Sequence, residues 1–129
     1  MFFTGLDYLK AAGVKIIPKD YKEDSTFVGF KDLSLGTLKK LFDSGEINPE
    51  DRQNESPTNA EFFKFMKKHP RFTAHGYICL SPRPDARIGI EGLDYKGRVT
   101  ISLIIEFSRL SARADDLIIE RNNLYSWYD

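Results

Sequence analysis

Ala86-Arg-Ile-Gly-Ile-Glu-Gly-Leu-Asp-Tyr-Lys-Gly-Arg-Val-Thr-Ile-Ser-Leu-Ile-Ile-Glu-Phe-Ser108 is the stretch on which the fold turns. Val99, Ile101, Leu103, Ile105 and Phe107 recur at every second position, the pattern of a half-buried strand. Ala86, Ile88 and Ile90 do the same just upstream. Pairing Ile90 with Ile101 and Ile88 with Leu103 buries both sets, whereas a slip of one residue would put one set in water. This register closes with Leu93 opposite Arg98 over a loop of Asp94 to Gly97. The stretch is therefore expected to form two strands, 86–93 and 98–108.

The opposite face of that hairpin then carries Arg87, Glu91 and Glu106. Residues 74–80 read as a third strand, with Ala74, Gly76, Ile78 and Leu80 on the buried side and His75, Tyr77 and Cys79 on the polar side. His75, Tyr77, Arg87, Glu91 and Glu106 thus form the candidate ligand-binding set. Downstream, 116–121 and 124–128 read as strands joined at Asn122-Asn123. Short connections of this kind favour antiparallel neighbours.

Upstream, the period lengthens from 2 to 3.6. Helices are expected at 5–12, ended by Gly13, at 35–44 behind a Ser34 cap, and at 58–69. The last begins with the capping box Thr58-Asn59-Ala60-Glu61 and ends before Pro70. Phe62, Phe63, Phe65 and Met66 supply its apolar stripe and Lys64, Lys67 and Lys68 its wet face. Residues 14–17 and 26–30 suit short strands, 20–25 and 81–85 loops, and 46–57 a polar connection. The helices' apolar stripes need a partner, and the Ile/Val/Leu side of the sheet supplies it. The expected architecture is a single α+β domain over 1–129. Three short helices lie on one face of a mostly antiparallel meander of four to five strands. A curled, cone-like sheet would turn its polar face into the wall of a cavity.

Composition narrows the function. The chain has 129 residues, 14.8 kDa, with nineteen Lys and Arg against nineteen Asp and Glu. The balance is local: residues 1–70 hold eleven of each sign and 71–129 eight of each. No basic tail hides behind the sum, which disfavours a nucleic-acid or anionic-membrane partner. Ten of the first eleven bases are Lys, and seven of the last eight are Arg, the residue suited to directional pairing. One cysteine, Cys79, permits no internal disulfide and fits a reducing compartment. The first residues lack a basic leader, and Ile101 to Ile105 is too short to cross a bilayer. The chain reads as cytoplasmic, with no membrane partner.

No phosphate-binding glycine loop, dinucleotide fingerprint, zinc-protease helix, Cys-x-x-Cys or Gly-x-Ser-x-Gly occurs. No cofactor is expected. A metal would recruit His69, His75 and Cys79, but four residues of strand separate the last two by roughly 13 Å. No metal site is therefore assigned. Glu91, Glu106 or Asp85 with His75 offers acid–base chemistry if the sheet curls, against cross-strand ion pairing as the plain alternative. Lys64, Lys67, Lys68 and Arg71 form a basic patch, with Arg83 and Arg87 nearby and Phe72 and Tyr77 for stacking. Phosphate or nucleic-acid binding there is the third functional choice, with a solvated helix face plus sheet ion pairs as the plainer alternative. Tyr125, Trp127 and Tyr128 are candidate interface anchors, or else complete the sheet. The reading is a non-catalytic binding module acting through its polar sheet face or its aromatic C-terminal strand. Its partner is a protein or a second copy. A small-molecule or enzymatic pocket in the sheet is the alternative.

Overall fold

The computed structural model describes residues 9, 12–18, 27–79 and 87–129. The chain runs through β1 (Lys15–Pro18), β2 (Phe27–Leu33), α1 (Leu35–Asp43), α2 (Asn59–Lys68), β3 (Thr73–Cys79), β4 (Arg87–Lys96), α3 (Ile101–Leu110), β5 (Asp116–Glu120) and β6 (Asn123–Trp127). The expected helix at 5–12 falls mostly outside the described residues, as do the loops at 20–25 and 81–85 with Arg83 and Asp85. The α+β class stands: among the described residues, one antiparallel sheet of six strands, against the four to five expected, runs in the order β1-β2-β3-β4-β6-β5.

The decisive stretch divides differently from the reading above. Residues 101–110 form a helix, not a strand. Thr100 starts it, its hydroxyl accepting the Leu103 N–H at 3.1 Å. The apolar residues fit both periods, and the helical one wins because it sorts them. Leu103 and Phe107 are buried, whereas Ile101 and Ile105 are 78% and 46% exposed. The pairing of Ile90 with Ile101 is therefore overturned. β4 runs on to Lys96 through the expected loop, and its second neighbour is β6. Gly97 N–H donates to Asn122 O and Val99 N–H to Arg121 O, tying the start of α3 to the far turn.

The other helices follow their signals. Ser34 Oγ accepts from Thr37 N–H, and Thr58 and Glu61 complete both halves of the capping box. Leu38, Leu41, Phe62, Met66 and Phe107 pack against Ile78, Ile88, Ile90, Leu93 and Leu124 in one core. Phe72 links α2, α3 and β4, with ring centroids 5.0 Å from Phe65, 5.5 Å from Phe107 and 4.9 Å from Tyr95. The connection before α2 is pinned by Ile47 and by Asn59, whose side chain donates to Asn48 O at 2.9 Å.

Two bulges shape the outer face, the one away from the helices. In β4 the pairing steps from Ile90 opposite Gly76 to Gly92 opposite His75, leaving Glu91 extra. In β2 it steps from Phe30 opposite Gly76 to Leu33 opposite Ala74, with Asp32 at φ 64°. Both neighbours thus bulge beside the same residues of β3. Bulges bend a strand and raise its twist. They also reverse which side chains point inward. In β4 the buried set passes from Ile88 and Ile90 to Leu93 and Tyr95.

Candidate functional site

The double bulge underlies a cleft of about 420 Å³ on the outer face. β1 contributes Ile17, β2 Gly29 and Lys31, β3 His75, β4 Glu91 and Asp94, and β6 Tyr125 and Trp127. His75 and Tyr125 lie on either side of Gly92. The His75 ring crosses that glycine to stack on Tyr125, with centroids 5.1 Å apart and planes 6° from parallel. Its Nε2 donates to Ser126 O at 2.7 Å. A carbonyl only accepts, so this bond fixes a proton on Nε2. A Cβ on Gly92 would stand 1.8 Å from Ser126 O, so only glycine leaves the passage open.

Asp94 pairs with Tyr125 across β4 and β6. Burial pushes its carboxyl above the usual aspartate range and nearby Asp32 adds to the rise, while His75, Lys96 and Lys31 pull it back. Burial likewise raises the Tyr125 hydroxyl, helped by Asp94, Asp116 and Glu91. Glu91 is buried, and its backbone carbonyl accepts Tyr128 N–H at 2.7 Å. The cleft thus combines two carboxyl groups, one lysine on β2 and half-buried aromatic rings.

The five-residue candidate set divides three ways. His75 and Glu91 share this cleft. Tyr77 and Arg87 belong to a smaller recess of about 150 Å³ beside Asp51 and Asn59. There Arg87 Nε donates to Tyr77 Oη at 3.1 Å, and its guanidinium lies 5.4 Å from the ring centroid. Glu106 is not on the sheet. As part of α3 it meets Lys68 and lies 3.1 Å from His69 Nε2. The Lys68 hydrogen bond holds its carboxyl below the usual range. Placing it on the polar sheet face is corrected, because that placement depended on the strand at 98–108.

The basic patch is dispersed. Lys68 is paired with Glu106, and Lys67 Nζ sits 4.9 Å over the Phe63 ring. Lys64 borders a groove that also holds Glu61 and Glu106. Arg71 stacks over Tyr95 at 5.7 Å on another side. The three C-terminal anchors separate as well. Tyr128 is core, 1% exposed, its hydroxyl donating to Leu110 O at 3.2 Å. Tyr125 and Trp127 stand half-buried on the outer face. Cys79 is buried, and no group of three His, Cys, Asp or Glu suited to a metal occurs among the described residues. Among those residues, no helix is long and apolar enough to cross a membrane.

Asp94 and Gly92 were absent from the candidate set. The shift of the apolar positions from Ile88 and Ile90 to Leu93 and Tyr95 is the sequence sign of the bulge that assembles them. Fold and site together define an open-sheet α+β domain with an aromatic and acidic cleft between its strands. The chain matches no protein-family model, no curated protein and no solved structure.

Proposed function

We propose that the protein is a non-catalytic binding module whose outer-face cleft receives a cationic group of its partner. The observation that carries this reading is the placing of Tyr125 and Trp127, half-buried beside Asp94, on the face away from the helices. Aromatic faces attract ammonium and guanidinium groups by about 0.5–2 kcal/mol, more as water is excluded. A half-buried carboxyl adds charge complementarity. His75 supports recognition by position: its stacked ring and its bond to Ser126 O brace Tyr125. Its Nε2–H is committed to Ser126 O, so this nitrogen serves to hold the ring in place.

Trp127 is the single tryptophan of the chain and lines the cleft, so its fluorescence reports occupancy. N-acetylarginine amide and tetramethylammonium should change its emission in a saturable way, and N-acetylglutamate amide should not. Asp94→Asn should weaken the cationic probes about tenfold. Equal responses to cation and anion, or none, would refute the reading.

A further inference from the structure

We propose that β5 is a docking edge for an extended segment of a partner protein, with apolar residues at its centre and Lys or Arg at both ends. Among the described residues β5 is the last strand of the sheet and pairs with β6 alone. Every second backbone amide and carbonyl of an edge strand points away from its neighbour, ready to pair. All five residues of β5 are exposed, including Leu117 at 43%, Ile118 at 41% and Ile119 at 40%. The opposite edge is built otherwise. β1 starts at Lys15 and ends at Pro18, residues that discourage pairing. β5 contains neither Lys nor Pro.

Charge selects the occupant. Asp116 and Glu120 bound the apolar run on the same side as Ile118, and Asp115 precedes it. A second copy is a poor fit. Antiparallel pairing centred on Ile118 sets Asp116 against Glu120 twice, and like charges directly opposite repel. Centring on Leu117 or on Ile119 sets Ile118 against Asp116 or against Glu120, burying a carboxylate beside an aliphatic chain. A foreign strand with basic ends satisfies both acids and lays its own apolar centre along Leu117 to Ile119. This is strand addition, in which the backbone supplies affinity and the flanking side chains supply choice.

The inference is independent of the cleft and is tested apart from it. The isotope-labelled full chain is titrated with acetyl-Lys-Val-Ile-Val-Lys-amide and, separately, with acetyl-Glu-Val-Ile-Val-Glu-amide, following amide shifts. The lysine peptide should shift and protect amides of residues 116–120, with the glutamate peptide about fivefold weaker or worse. In Asp116→Lys/Glu120→Lys the preference should reverse. If that variant does not fold, the two peptides on the unaltered chain still decide. No shift at millimolar peptide, equal affinity for both, or shifts centred on Tyr125 and Trp127 would overturn the proposal. So would sedimentation as a dimer with the β5 amides already protected, which would make a second copy the occupant.

Discussion

At Gly92 a single added methyl group would meet Ser126 O at 1.8 Å and His75 Nε2 at 2.7 Å. Backbone cannot move aside as a flexible side chain can. Gly92→Ala should therefore cost about 1–3 kcal/mol in chemical denaturation and break the His75 contact, seen as a shift of the imidazole resonances. Asp94 gives a second test, in pH. Its folded carboxyl titrates above the unfolded one, so folding favours the protonated form. That stabilisation is complete below the unfolded value and is lost as pH rises through the folded one. Asp94→Asn should make the chain more stable at neutral pH and remove this decline from the acid side of the profile. Glu106 acts in the opposite sense, since its lowered value makes its contribution fade as pH falls. Measuring the Asp94→Asn variant against the parent across the acid range isolates the first effect.

At the scale of elements, α3 separates two readings that the sequence leaves degenerate. Ile101, Leu103, Ile105 and Phe107 share one side of a strand but two sides of a helix. Phe107→Ala should cost about 3–5 kcal/mol, and Ile101→Lys or Ile105→Lys within about 0.5 kcal/mol of nothing, by thermal and denaturant melts. A large loss at Ile101 would restore the strand. The caps of α1 and α2 were legible because their signal is local: the Ser34 hydroxyl just before an apolar stripe, and the Thr58 hydroxyl with the Glu61 carboxylate three residues on. The cap of α3 was equally local, at Thr100, but the alternation beyond it masked the start. His75 and Glu91 could be placed together from the pleat alone. Glu106 could not, because its position inherited the period assigned to residues 98–108.

For the whole molecule, the layering and the β3–β4 and β5–β6 neighbours were readable, and the place of β6 beside β4 was not. A two-layer arrangement follows from apolar stripes that must be covered. The position of β6 follows from no local pattern, because β4 meets it across α3 and β5. The cleft depends on that long-range insertion for Tyr125 and Trp127, so its aromatic half was visible only as a rich C-terminal segment. The same insertion has a kinetic consequence. β5 and β6 face each other across the two-residue turn Arg121-Asn122, so they can pair quickly and alone. β4 can acquire its second neighbour only after a loop of more than twenty-five residues closes around α3. The hairpin can therefore form before it meets β4, whereas the pairing of β4 with β6, like that of β2 with β3 across α1 and α2, waits on the closure of a long loop.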